Sequence, residues 1–344
     1  MRWANLTIEG ETAHRLPGYR DDAVVRTFDA PEALDVRFYE VRARSVLNRV
    51  PERSAAPFRW TVNPYRGCTH ACVYCFARPT HRYLDFDAGR DFEREIVVKV
   101  NAPEVLAREL GRPSWSREHV ALGTNTDPYQ WVEARYRLMP GIWSAMLEHG
   151  TPCSVLTKSP LLLRDLPLLA ELAAEGLFSA ALSVPTLDER AWRATEPHTP
   201  HPAARLEAVA KLTRAGIPTS VLIAPLMPGI NDDPSSVGEI VRRAREAGAR
   251  SVSPIALHLR SGVREVFMDW LEEERPELLR RYSQLYGRGA YAPAEERRRL
   301  ASLVHGSPDR RSAPRFAQRR PASPPPADSR PLARRGAAAQ ERLF

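Results

Sequence analysis

From Trp60 onward the chain alternates short apolar runs with longer segments whose apolar residues recur every three or four positions. The short runs, at 60–63, 119–123, 153–157, 179–184, 219–224 and 251–257, are rich in Val, Leu, Ile and Ala, the composition of strands buried on both faces. The longer segments, at 103–110, 141–149, 162–175, 202–215 and 235–247, carry the amphipathic helical period. A glycine stands just past each of them, at Gly111, Gly150, Gly176, Gly216 and Gly248, where a left-handed residue readily ends a helix. Strands that alternate with helices run parallel, because each return to the sheet needs a crossover. The fold class predicted is α/β, a partial (βα)6 TIM-type barrel, in which chemistry gathers in the loops after the strand C-termini.

The flanks read differently. Residues 1–57 show weak periodicity, with one short strand or helix at 36–41 and a linker between Pro51 and Pro57, and form an N-terminal extension packed on the barrel of 58–260. Helical patterns at 263–274, 276–285 and 293–304 make 261–305 a C-terminal helical cap. The last stretch, 306–344, holds seven prolines and little periodic apolar sequence, the composition of a disordered tail. It also changes the meaning of the formal net charge of +8. Nine arginines against three acids give the tail +6 and leave a nearly neutral body. A basic arm of this kind is expected to add salt-sensitive, sequence-blind affinity for nucleic acid. No stretch approaches the ~18 apolar residues of a membrane span, and the N-terminus lacks the apolar run of a signal peptide.

The four cysteines bring in chemistry. Cys68, Cys72 and Cys75 fall at CxxxCxxC spacing just after the first strand, and only Cys153 lies elsewhere, at the start of the third strand, where it reads as a small buried hydrophobe. Three crowded cysteines argue against a disulfide framework and for a metal site. Soft thiolates select zinc, copper(I) or iron–sulfur clusters. Structural zinc wants four protein ligands, and no second pair lies downstream. A four-iron cube held by three thiolates keeps one iron open to an external ligand, and ordinary ferredoxin spacing does not match CxxxCxxC. Reduced thiols, an iron site and no export signal imply the cytoplasm.

With Tyr74 just before its last cysteine, the motif resembles the signature of the radical S-adenosylmethionine (SAM) superfamily. The wider string from Asn63-Pro64-Tyr65-Arg66-Gly67-Cys68 through Cys75-Phe76-Ala77-Arg78 more closely resembles the branch related to spore photoproduct lyase, a DNA-repair enzyme. The resemblance covers roughly residues 36–260. It implies a [4Fe–4S] cluster on Cys68, Cys72 and Cys75, and SAM chelating the open iron through its amino and carboxylate groups. It also implies an external one-electron reductant of the flavodoxin or ferredoxin type, and a 5'-deoxyadenosyl radical that abstracts hydrogen from substrate.

The strand ends then acquire expected roles. Gly123, Thr124, Asn125, Thr126 and Asp127 follow the second strand; as residues alone they make a hydrogen-bonded turn, and by resemblance they hold the SAM amino group, with Asp127 as countercharge. Lys158 ends the third strand and is expected to pair a carboxylate or phosphate as a point charge. Ser183 and Glu196 are expected at the ribose hydroxyls, and Arg205 is expected to fork onto the SAM carboxylate, as guanidinium geometry suits. Ala224 through Asp232 matches the same branch, its apolar members packing on adenine and Asn231, Asp232 or Asp233 capping the next helix. His258 is as readily a loop histidine as a substrate contact.

Three features depart from that branch. Trp131 follows Gln130 where proline is usual, Met139-Pro140 stands where Thr-Arg is usual, and no cysteine between Cys75 and Cys153 matches the hydrogen-atom donor of the lyases. A nucleic-acid substrate is thus an expectation from family likeness. The alternative class is a non-catalytic nucleic-acid-binding protein stapled by zinc or an iron–sulfur cluster. A staple needs no six-strand cup.

Overall fold

The computed structural model describes residues 8–28, 35–52, 54 and 56–305, with no side-chain description for 8–14. The expected disordered tail, 306–344, lies outside the described residues.

Each short apolar run forms a strand of one sheet: β1 (Trp60–Val62), β2 (Val120–Leu122), β3 (Cys153–Thr157), β4 (Phe178–Ser183), β5 (Thr219–Leu226) and β6 (Val252–Ala256). They lie side by side in chain order, all parallel, and Leu47–Arg49 closes the outer edge of β1 as an antiparallel strand. Leu122 pairs with both Val62 and Val155, and Leu182 with Thr157, so the strand C-termini finish near one level. The helices are α1 (Ala102–Leu110), α2 (Leu138–Glu148), α3 (Leu166–Ala174), α4 (Pro202–Arg214) and α5 (Pro234–Glu246). The helix predicted at 162–175 instead begins as a 3-10 turn, Pro160–Asp165, and restarts as α3. Pro167, in the first turn of α3, has no N–H to continue a helix from upstream. Asp233 caps α5 by accepting the Ser236 N–H at 2.9 Å.

The core joins Val62, Leu122, Val155, Leu182 and Ile223 from the strands to Leu106, Trp143, Leu169, Leu212 and Ile240 from the helices. Leu300 and Val304 of α6 (Ala294–His305) enter the same core, so this last helix covers the barrel wall beside β6. Between β6 and α6 the chain makes helices Arg264–Glu274 and Leu279–Tyr286, whose Phe267, Leu271 and Tyr282 pack with Cys72 and Tyr74.

A second sheet was not legible from the sequence. It runs in the order Ile8–His14, Ala23–Phe28, Arg37–Val41, Glu95–Lys99, Tyr65–Arg66. The segment expected at 36–41 is therefore a strand, while Tyr65–Arg66 and Glu95–Lys99 come from the long β1–α1 connection. Glu95–Lys99 is buried throughout, and its charged ends are partnered: Glu95 accepts from Arg37 and Tyr39, and Lys99 Nζ donates to Asn63 O at 2.9 Å. The cysteine loop is entered from Tyr65–Arg66 and leads on to Glu95–Lys99, so the strands before and after it in the chain both belong to this second sheet.

Candidate functional site

The loop that carries the three cysteines is fixed from behind. Gly67 has φ +80, and a Cβ there would meet Ile96 Cδ1 at 2.8 Å and Phe92 O at 2.9 Å, so the loop lies directly on its neighbours. Cys68 N–H donates to Phe92 O at 2.9 Å. Arg78, fully buried, donates to Cys72 O at 2.9 Å and Gly89 O at 2.8 Å, and pairs with Glu93. Gln130, also fully buried, accepts from Thr69 N at 3.0 Å and donates to Gly67 O and Thr126 Oγ1. Thr126 Oγ1 itself donates to Gly67 O at 2.6 Å. Arg78 and Gln130 are thus braces of the loop, a role the sequence reading missed although both stood inside the strings it quoted. An arginine three residues past the last cysteine is the one signal that was available, since a fully buried arginine requires many carbonyl or carboxylate partners.

All three cysteines are free thiols, Cys68 and Cys72 buried and Cys75 partly so. Burial raises the Cys72 and Cys75 thiols above their ordinary range. Two polar atoms inside the loop, Thr69 Oγ1 and His70 Nε2, are buried without a partner. Among the described residues no three His, Cys, Asp or Glu side chains gather tightly enough to hold one metal ion. A single zinc would need such a compact set, whereas a cubane takes its thiolates at separate corners.

In front of the loop lies a cavity of about 190 Å³, walled by Cys68, Cys72, Cys75 and Tyr74 on one side and by the C-terminal ends of the barrel strands on the other. Gly123 comes first after β2. A Cβ on it would lie 1.8 Å from Leu156 O, so only glycine lets the two strand ends approach. Thr124 and Asn125 line the cavity, with Asn125 Nδ2 reaching Thr80 Oγ1 at 3.4 Å. Asp127 is engaged by the protein itself. Its Oδ1 accepts from Thr157 Oγ1 at 2.6 Å and Tyr129 N at 2.9 Å, and its Oδ2 accepts from Lys158 N at 2.8 Å and faces His70 Nδ1 at 3.4 Å. Burial disfavours this carboxylate, but His70 with the Thr157 and Lys158 donors outweighs it and holds Asp127 at about 2.

Lys158 projects into the same cavity, 5.6 Å over the Tyr74 ring and 3.7 Å from Glu196 Oε1. Burial opposes its charge, yet Cys72 and Glu196 raise it above the ordinary lysine value. Ser183 lines the wall and donates to Ala224 O at 2.9 Å. Ala224 and Pro225 are exposed to the cavity, and His258 reaches its rim, stacked on Tyr291 at 4.2 Å.

Glu196 and Arg205 require correction. The expectation that Arg205 forks onto a ligand carboxylate fails, because both side chains are 0% exposed and neither reaches the cavity. Arg205 spends its donors on Glu196 Oε2 at 2.6 Å, Thr199 Oγ1 at 2.6 Å, Ser183 O at 2.9 Å and Pro200 O at 2.9 Å. Glu196 likewise spends its oxygens on Arg205 and on the Tyr74 hydroxyl, leaving none for a ribose. The pair stands behind the wall and sets Tyr74 and Lys158 in place.

These arrangements coincide with a known family. The model of the radical SAM superfamily matches residues 62–244, more than half of the chain, and the chain belongs to that superfamily. It is 47% identical over 308 residues to the uncharacterized protein Rv2578c of Mycobacterium tuberculosis, covering 88% of this chain and 91% of that one. The uncharacterized protein MJ0683 of Methanocaldococcus jannaschii is 24% identical over 204 residues, covering 59% and 73%. Among solved structures, spore photoproduct lyase complexed with dinucleoside spore photoproduct superposes with a TM-score of 0.56 at 15% identity, over 78% of this chain and 77% of that one. A mutant of that lyase with bound AdoMet and the same dinucleoside gives 0.57 at 14% identity, with the same coverage. The protein is therefore a radical SAM enzyme with the fold of the spore photoproduct lyase branch, and the superfamily's cofactors are a [4Fe–4S] cluster and SAM. No described helix is long and apolar enough to cross a membrane.

Proposed function

We propose that Cys68, Cys72 and Cys75 hold a [4Fe–4S] cluster at the back of the cavity and that SAM occupies the space between it and the strand ends. The observation that carries this reading is the placement of three free thiols and the ends of β2 to β5 around one cavity. The chemistry a bound cluster and SAM supply is reductive cleavage of the sulfonium to methionine and a 5'-deoxyadenosyl radical that takes hydrogen from substrate.

The chain's own residues bind and orient. Lys158, the cavity cation with donors to spare, meets the SAM carboxylate in the role first expected of Arg205. Backbone carbonyls and side chains of Gly123, Thr124 and Asn125 receive the amino group, with Asp127 acting through space behind them. Ser183 reaches the ribose, and Ala224 with Pro225 offers adenine an apolar face. Arg78 and Gln130 hold the loop rigid, and the electron arrives from a donor of the flavodoxin or ferredoxin type. A nucleic-acid substrate is supported by likeness to the lyase branch.

The test is anaerobic reconstitution with iron and sulfide, followed by SAM and dithionite. 5'-Deoxyadenosine is expected from the native chain and from none of the variants Cys68→Ser, Cys72→Ser and Cys75→Ser. Native protein that binds iron yet forms no 5'-deoxyadenosine with an excess of reductant contradicts the proposal.

A further inference from the structure

The binding roles above leave the mouth of the cavity unused. Of the five large apolar or aromatic side chains exposed among the described residues, three gather there: Phe76 and Ile255 line the cavity, and Tyr291 stacks on His258, which lines it too. Scattered apolar residues on a surface mean little, whereas a group of them at one opening marks a docking place. The group is held rigidly. Tyr291 pairs with His258 in an antiparallel bridge, Leu259 N–H donates to Ala290 O at 2.8 Å, and Arg264 donates to Tyr286 O at 2.7 Å and to Gly289 O. Arg260 donates twice to Phe76 O, at 2.6 and 3.0 Å, and so joins this edge to the residue after the third cysteine. The Tyr291 and His258 rings lie 4.2 Å apart and 17° from parallel, yet Tyr291 remains 63% exposed. A flat ring laid on Tyr291 extends a stack that already exists. The surroundings are basic: from Leu279 to His305 stand six arginines against two glutamates, in a body that is nearly neutral. Arg297 lies over Tyr291, 5.9 Å from its ring centre, and Arg288 stands in the Tyr291 loop, while Glu296 is already paired with Arg281 and Arg299.

We infer that this mouth receives single-stranded nucleic acid, with one base stacked on Tyr291 and the phosphates of the strand beside the arginines. That the bound strand is the substrate rests on the reading of the cavity given above, whereas the contact with Tyr291 does not. An aromatic platform among cations is the pairing that single strands use, because every base offers a flat face and the positive charge follows the backbone. A duplex keeps the faces of its bases within its own stack and must expel a base before Tyr291 can meet one. An apolar protein partner would use Phe76 and Ile255, but neither the parallel rings nor the excess of arginine serves it. DNA and RNA present the same base face, so the choice between them falls to the sugar and is made by the experiment.

The test is fluorescence anisotropy with labelled strands of about 12 nucleotides, as single-stranded DNA, the matching RNA and the DNA duplex. The proteins are the reconstituted full chain, Tyr291→Phe and Tyr291→Leu. All three carry the same segment 306–344, so its contribution is constant. The native chain is expected to hold at least one of the single strands more tightly than the duplex. Tyr291→Leu weakens that strand about tenfold, as loss of one stacked base implies, and leaves duplex affinity and the salt dependence as they were, since no phosphate contact is lost. Tyr291→Phe keeps the ring and binds like the native chain. Equal single-strand affinity in the native chain and Tyr291→Leu overturns the inference. So does an equal loss for single strand and duplex, or a native chain that prefers the duplex or binds none of the three. 5'-Deoxyadenosine formation by the native preparation is measured separately, without nucleic acid. Its absence refutes the cysteine assignment and leaves the affinity comparison intact.

Discussion

Two buried glutamates, Glu133 and Glu196, look alike by residue type and burial, and they do different things. Glu133 accepts from Tyr65 Oη at 2.5 Å, Arg164 at 2.6 Å and the Leu138 and Met139 N–H groups at 3.1 Å each. It ties the second sheet to the N-terminus of α2, and burial keeps it above the ordinary carboxylate range despite those donors. Glu196 is equally buried, but Arg205 and Lys158 outweigh burial and hold it below that range. Glu133's network closes on itself, whereas Glu196's ends in a lysine whose Nζ faces a cavity. A buried charge with a shifted pKa therefore does not mark a site. A donor left over, aimed at empty space, does.

The sharpest way to break that distinction is to remove each carboxylate. Glu133→Ala and Glu196→Ala should each lose about 3–5 kcal/mol of stability in denaturant titration, the cost of orphaning a buried cation. Titration calorimetry on the folded proteins should show weakened SAM binding in Glu196→Ala alone. Equal losses of affinity in both would erase the difference between the two networks.

A smaller effect separates the two cations of the Glu196 network. Lys158→Met should weaken SAM binding about tenfold to a hundredfold, as loss of a charged hydrogen bond of about 1.5–3 kcal/mol implies, while stability changes little. Arg205→Lys should reduce stability more than affinity. The reverse ranking would restore Arg205 as the carboxylate partner.

A third effect lies outside the cavity. Burial, with Arg66 adding to it, lowers Lys99 to about 7 from an ordinary 10.5. Between those values the unfolded chain binds the proton that the folded chain has released, so the contribution of Lys99 to stability rises with pH across about 7 to 10.5. Lys99→Met should remove that slope from a series of denaturation midpoints and leave SAM affinity unchanged. A slope that survives the substitution would show that Lys99 is not its source.

The barrel was legible because its signals are local. Apolar runs, helical periods and the terminating glycines Gly150, Gly176, Gly216 and Gly248, all at positive φ, each act within a few residues. Gly111 sits in the same sequence context with φ −75, since α1 ends without a left-handed residue. The second sheet escaped because its pairings join residues far apart: Arg37 opposes Glu95, and Tyr65 opposes Val98. The same limit governs the site. Cys68, Cys72, Cys75 and Lys158 announce their chemistry by type and place, whereas the role of Arg205 depends on Glu196, Thr199 and two carbonyls being near enough to consume its donors. Gln130 and His70 follow the same rule, their meaning given by partners that no spacing reveals.

Electron paramagnetic resonance of the anaerobically reconstituted, dithionite-reduced protein tests the central claim most directly. The expected result is a reduced-cluster signal that changes shape when SAM is added and is absent from Cys72→Ser. A protein that carries zinc alone, or a signal indifferent to SAM, would contradict the account.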